Sequence, residues 1–366
     1  MKKMNVRAIG MTVVVLLWAA LTAAAWFAPA KELSEAERRP LAQAPELTGD
    51  TLLSGSFMKD FESYSLDQFP LRDTFRTIKS MFHFGVLNQS DNNDIYLAKG
   101  YAVKQEYPLN VDSVYHAAER LNHLYEKYLT DCDVYMAIIP DKGYYLAEES
   151  GHLSMNYKEL FSAFADELPW ANQIDLTDSL SIEDYYRTDI HWRQENLWEA
   201  AKTLCDAMGV TAPEAGAFTV TALERPFYGV YYGQAALPME PETMYILESD
   251  LLAGCRVYDY ESGSYTDVYN MGKLDSRDLY DVFLSGSRSL LTIENPNAHT
   301  DRELILFRDS FGSAIAPLLL TDYAKVTLVD IRYIQIDVLD RFLEFDGQDV
   351  LLLYSVPVLN NSQTIK

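Results

Sequence analysis

The sequence predicts an α/β fold, a doubly wound and mainly parallel sheet flanked by helices, with a β-rich insertion and an N-terminal transmembrane helix. Two observations carry the sheet. Apolar runs at 134–140, 304–307, 325–330 and 350–354 are separated by stretches with helical spacing, and continuous apolar strands are the kind buried on both faces of a parallel sheet. The run at 304–307 also ends abruptly in Arg308-Asp309-Ser310, followed by Phe311, Gly312 and a new apolar run. A serine at such a strand-to-helix turn exposes Oγ at the edge of an α/β sheet, where hydrolytic enzymes hold a nucleophile. Taken alone, the turn reads more plainly as a serine capping a helix.

Composition narrows the function classes. The 366 residues fit a membrane or targeting segment plus one large, or two modest, globular domains. A formal charge of -24 argues against nucleic acid, whose binding is driven by cations that displace phosphate counterions. It also disfavours a polyanionic glycan, whereas neutral or amino sugars are easier to accommodate. The 25 tyrosines can bury their rings and keep their hydroxyls wet, which suits a sugar-binding surface. Cys132, Cys205 and Cys255 make no disulfide framework and no metal-ligand spacing. With no Gly-rich phosphate loop and no HExxH sequence, the expectation is acid, base and nucleophile chemistry without metal or cofactor.

Residues 8–30 carry no charge and follow Lys2, Lys3 and Arg7; as a helix they span roughly 34 Å, enough to cross a bilayer. Ala28-Pro29-Ala30 resembles a signal cleavage site, but the apolar run exceeds the usual signal length of about 7–15 residues. An uncleaved anchor with the bulk of the chain outside is the favoured reading. Lys31, Arg38 and Arg39 weaken the charge asymmetry, although Glu32, Glu35 and Glu37 accompany them. The expected domains are 1–30 as anchor or signal, 31–50 as linker, and 51–366 as the catalytic domain, with 218–291 as the insertion.

Two amphipathic helices are expected around 57–64 and 71–82, separated by Pro70. A helix over 111–129 leads into the strand 134–140, which places Asp141 and Lys142 at a strand's C-terminal end, where ligands bind in open α/β sheets. A solvated loop cation is the plain alternative for Lys142. A helix at 157–168 and a short strand at 173–176 follow. Leu197, Ala201, Leu204, Cys205 and Met208 trace one helical face that Gly209 ends. Residues 188–192 then lie in the loop entering that helix. Asp189 and His191, two apart in an extended segment, point to one side, so the carboxylate would orient the imidazole. Short aromatic and β-branched runs over 218–291 read as antiparallel strands. Past Ser310 come a helix over 313–320 interrupted by Pro317, then two strands, with Arg332 just beyond the first.

Thr188-Asp189-Ile190-His191-Trp192, followed more than a hundred residues later by Asp309-Ser310-Phe311, resembles the SGNH-hydrolase-like families that include the alginate O-acetyltransferases AlgX and AlgJ and the bacterial DHHW proteins. Phe69-Pro70-Leu71-Arg72, Ile139-Pro140-Asp141-Lys142 and Val329-Asp330-Ile331-Arg332-Tyr333 appear in the expected order. The resemblance implies an Asp189, His191 and Ser310 triad that moves an acyl group, with acetyl favoured, to or from a cell-surface polysaccharide. Where the DHHW name implies histidine, this chain has Ile190. Backbone N–H groups at Ser310, Phe311 and Gly312 are candidate oxyanion donors, and Arg332 and Lys142 are candidates for oxyanion or substrate contacts. The resemblance also implies a multispanning membrane partner that exports the acyl group. A non-catalytic glycan-binding or assembly protein of a polysaccharide secretion complex is the alternative.

Overall fold

The computed structural model describes residues 6–34, 36–237 and 239–366; Lys2, Lys3 and Glu35, weighed above for their charge, lie outside them. The chain divides into two compact units, Met1–Asn92 with Gly233–Pro238, and Asn93–Tyr232 with Met239–Lys366.

The larger unit is built on an eight-stranded sheet. Its strands are β1 (Asp133–Ile139), β2 (Asn172–Ile174), β3 (Arg256–Asp259), β4 (Ser264–Thr266), β5 (Leu290–Glu294), β6 (Arg302–Arg308), β7 (Tyr323–Val329) and β8 (Asp349–Ser355). They lie in the order β4-β3-β5-β7-β6-β8-β1-β2. The run from β7 to β2 is parallel. β5, β3 and β4 extend it as antiparallel neighbours.

Alternation along each strand explains why the apolar runs are unbroken. Leu304, Leu306, Leu351 and Leu353 pack with Leu204, Cys205 and Met208 of the helix Trp198–Met208. Ile305, Phe307, Val350 and Leu352 pack with Leu121 of Val111–Leu124 and Phe164 of Tyr157–Glu167. Side chains two apart share a face, so a sheet covered by helices on both sides needs apolar residues at every position. The expected doubly wound architecture is therefore present. The β-rich insert has two fates. Thr219–Phe227 pairs with Glu242–Glu248 in a separate antiparallel pair, while β3, β4 and β5 join the main sheet.

Two expected helices are less regular than their sequence periodicity suggests. The one over 111–129 is α-helical to Leu124 and ends in a π-helical turn, Tyr125–Leu129. The one after Ser310 is a single α turn, Gly312–Ile315, continued as the 3-10 turn Ala316–Leu319, where Pro317 offers no N–H to an α ladder.

The smaller unit begins with the helix Val6–Phe27. Its stretch Arg7–Phe27, with mean hydropathy 2.1, is long and apolar enough to cross a membrane. Residues 31–50 carry a short antiparallel pair, Leu33–Ser34 with Arg39–Pro40, and the start of the helix Gly49–Leu53. The helices Ser56–Asp67 and Arg72–Gly85 follow. Ion pairs hold this unit together. Arg39 grips Asp67 at 2.8 and 2.6 Å, and Glu37 receives Arg72 at 2.5 Å and Arg76 at 3.2 Å. The hydrogen bond from Arg39 holds the Asp67 carboxyl down at about 2.

Candidate active site

The C-terminal ends of four neighbouring strands supply the site, as expected for an open α/β sheet. Asp141 and Lys142 follow the end of β1, Asp309 and Ser310 that of β6, and Asp330 and Arg332 that of β7, while β8 ends at Ser355 itself. Asp309 organises the turn. Its Oδ1 accepts the Phe311 N–H at 3.0 Å, while Oδ2 accepts the Ser355 N–H at 2.8 Å and the Ser355 hydroxyl at 2.6 Å. One buried carboxylate thus fixes the residue beside Ser310 to the end of a different strand. Gly312 is required by close approach, since a Cβ there would lie 2.6 Å from Cβ of Arg308.

Asp189, His191 and Ser310 come together in one line. His191 Nε2 lies 2.7 Å from Ser310 Oγ, and Nδ1 lies 2.6 Å from Asp189 Oδ1. The same Oδ1 accepts the His191 N–H at 3.0 Å, and Oδ2 accepts the Val230 N–H at 2.7 Å. With Nδ1–H donating to Asp189, Nε2 is left to accept the serine proton. Asp189 is fully buried and His191 nearly so. The imidazole is further held by Tyr280, stacked at 3.9 Å and 10°.

The loop 186–192 that presents the pair is tied down from three directions. Trp192 Nε1 donates to Phe311 O at 3.1 Å and Gln194 Nε2 to Ala314 O at 2.8 Å, which joins the histidine loop to the serine turn. Buried Glu242 accepts the N–H groups of Arg187 and Thr188, each at 2.8 Å, and the Thr188 hydroxyl at 2.7 Å. The Gly229 N–H donates to Thr188 Oγ1 at 3.1 Å, and only glycine fits at 229, because a Cβ would sit 2.2 Å from the Thr188 carbonyl.

The remaining expected residues have more specific surroundings than their sequence suggested. Lys142 is buried rather than solvated, and its Nζ donates to the carbonyls of Tyr186 at 3.0 Å and Arg187 at 3.3 Å. Burial pushes its amine down to about 7, against the opposing pull of Asp189, Glu242 and Asp141. Its two hydrogen bonds brace the loop 186–192. The Phe311 N–H is engaged by Asp309 Oδ1, and the Gly312 N–H donates to Asp309 O at 3.1 Å, so the turn itself occupies two of the three expected backbone oxyanion donors. Arg332 grips Asp330 through Nε at 2.8 Å and Nη2 at 2.6 Å. Burial opposes its charge, and the hydrogen bonds and charge of Asp330, with the charge of Asp309, outweigh that and raise it.

Glu242, Tyr280, Asp309 and Ser355 were not singled out from the sequence. Asp309 alone carried a signal, as the neighbour of the strand-end serine. The others reach the site across long sequence separations and leave no local pattern.

Comparison with known proteins agrees with this architecture. No curated protein sequence matches the chain. Among solved structures, a DHHW family protein from Eubacterium siraeum superposes with a TM-score of 0.58 at 20% identity, covering 75% of this chain and 95% of its own. Bacillus cereus PatB1 gives 0.58 at 17% identity, covering 72% of this chain and 96% of its own. The O-acetyltransferase domain of Pseudomonas putida AlgJ gives 0.44 at 14% identity, covering 73% and 92%. The sequence profile of the DHHW protein family matches residues 174–329. That matched segment contains Asp189, His191 and Ser310.

Proposed function

We propose that the protein is a membrane-anchored, extracytoplasmic serine O-acyltransferase or acyl esterase that handles an acyl group, with acetyl favoured, on a cell-surface polysaccharide. The observation that carries this reading is the pair of short contacts, 2.7 Å from Ser310 Oγ to His191 Nε2 and 2.6 Å from His191 Nδ1 to Asp189. Ser310 Oγ bonds to the ester carbonyl carbon as its proton passes to Nε2. The tetrahedral intermediate then expels the donor alkoxide, which takes that proton and leaves the acyl group on Ser310. A sugar hydroxyl or water, deprotonated by His191, attacks the acyl-enzyme and returns the free serine. The Ser310 N–H and the Arg332 guanidinium are the proposed partners of the oxyanion, since the next two N–H groups are engaged. A multispanning partner would supply the acyl donor across the membrane, and the helix Val6–Phe27 would anchor the chain beside it.

A second reading, a glycan-binding or assembly protein without catalysis, is favoured by the engagement of the Phe311 and Gly312 N–H groups within the turn. Labelling with a serine-reactive fluorophosphonate separates the two. Catalysis predicts labelling of the wild type that is lost in Ser310→Ala and falls sharply in His191→Ala. A wild type that binds glycan yet stays unlabelled would sink the enzyme reading. Turnover of a chromogenic acetyl ester, with and without oligosaccharide acceptor, then distinguishes transfer from hydrolysis.

A further inference from the structure

The helix Arg72–Gly85 is packed the wrong way round for a water-soluble protein. Its inward side carries Arg72 and Arg76, paired with Glu37, and Ser80, the helix's fully buried residue, whose hydroxyl donates to Ala235 O at 2.8 Å. Its outward side carries Phe75, Ile78, Met81 and Phe82, which are 43, 56, 56 and 49% exposed. The neighbouring helix Ser56–Asp67 repeats the pattern with Met58, Phe61 and Leu66 exposed and no buried residue. A soluble amphipathic helix turns its apolar stripe inward. A contiguous outward stripe of large apolar side chains marks a surface that something else covers.

Position identifies the cover. The Lys31 N–H donates to Gln68 Oε1 at 2.8 Å, and Gln68 Nε2 donates back to Lys31 O at 2.8 Å. Gln68 lies at the turn between the two helices, and Lys31 lies four residues beyond Phe27, the end of the apolar helix. Four residues reach at most about 14 Å. The turn between the two helices is thus tethered within about 14 Å of the end of the apolar helix, close enough for them to reach the headgroup layer, in which an interfacial helix sinks about 5–10 Å. The exposed charges of this helix are of both signs, Lys79 beside the stripe and Asp73 next to the arginines it pairs with, which suits insertion into zwitterionic lipid better than attraction to an anionic surface.

We propose that the apolar outer face of Ser56–Asp67 and Arg72–Gly85 is seated in the headgroup layer of the bilayer that Val6–Phe27 crosses, an inference that rests on the anchor reading above. The short tether gives the face a high effective concentration at the lipid, so modest burial suffices to hold it there.

The test uses the full chain in phosphatidylcholine vesicles doped with a lipid carrying a photoactivatable diazirine on its acyl chain, with adducts mapped by mass spectrometry. Adducts are expected on 7–27 and on 75–82. In Ile78→Glu/Phe82→Glu, both changes at exposed positions, adducts on 75–82 should fall at least fivefold while those on 7–27 and the melting of the larger unit stay unchanged. Adducts confined to 7–27 overturn the interfacial face and leave the anchor standing; adducts on neither overturn both. A dimer that persists in detergent and dissociates in the double variant assigns the face to a second copy and also overturns the proposal.

Discussion

In the larger unit Leu306 is fully buried, flanked in register by Leu328 on one strand and Leu351 on the other. In the smaller unit Phe75 and Ile78 are about half exposed, and Ser80 takes the buried place. One unit is held by apolar interdigitation around a sheet, the other by an ion-pair network with its apolar side chains turned out. The difference teaches that amphipathic periodicity reports which residues share a helix face, and leaves open which face looks inward. Only the polar contacts of Arg72, Arg76 and Ser80 settle that.

Core truncation should separate the units most strongly. Leu306→Ala removes packing on the buried sheet and should cost about 2–5 kcal/mol, read as a lower denaturant midpoint for the larger unit, whereas Phe75→Ser in detergent should change stability by less than about 0.5 kcal/mol. Equal losses would break the comparison.

Next in size is Glu242→Gln. An amide keeps one acceptor oxygen but faces its NH2 towards donors on Thr188, so the loop presenting Asp189 loosens. Turnover of an acetyl ester should fall about tenfold or more with KM little changed; a rise in KM alone would place Glu242 in substrate binding instead.

Lys142 gives a pH signature. Burial holds its amine at about 7 in the folded chain, below the 10.5 of a free lysine amine. Between these limits the unfolded chain binds the extra proton, so stability rises with pH across that window, and the destabilising burden is fully present below about pH 7. Lys142→Met should remove this upward slope in the melting temperature of the larger unit, and an unchanged slope would contradict it.

Asp67 gives the smallest effect, with stability again rising with pH but in an acid window. Its depressed pKa of about 2 contributes stability that is present above the usual carboxylate value and lost as pH falls through about 2. Asp67→Asn should cost the smaller unit below about 1 kcal/mol, seen as faster hydrogen exchange in 56–85 with no change in the larger unit.

Much of the larger unit was legible because its signals are local. The strands declared themselves through unbroken apolar runs such as 304–307, and Asp189 and His191 through a spacing of two in an extended loop. Lys142 was found by position, yet its burial was not, since the carbonyls it serves lie 44 and 45 residues away. Glu242 and Tyr280 escaped for the same reason. The smaller unit misled in another way. Residues 31–50 lack periodicity and read as a linker, but Glu37 and Arg39 build its ion-pair network with residues of the later helices.

The bond from Ser355 to Asp309 also sets an order of events. β8 is the last strand of the sheet in the chain, yet it lies between β6 and β1, and its final residue holds the carboxylate beside Ser310. The serine turn cannot take its working shape until that central gap is filled by a segment made well after the serine itself. If Ser310 is the nucleophile proposed above, it is armed late, as a product of completed folding, and a nascent or partly threaded chain would carry Ser310 without the means to use it.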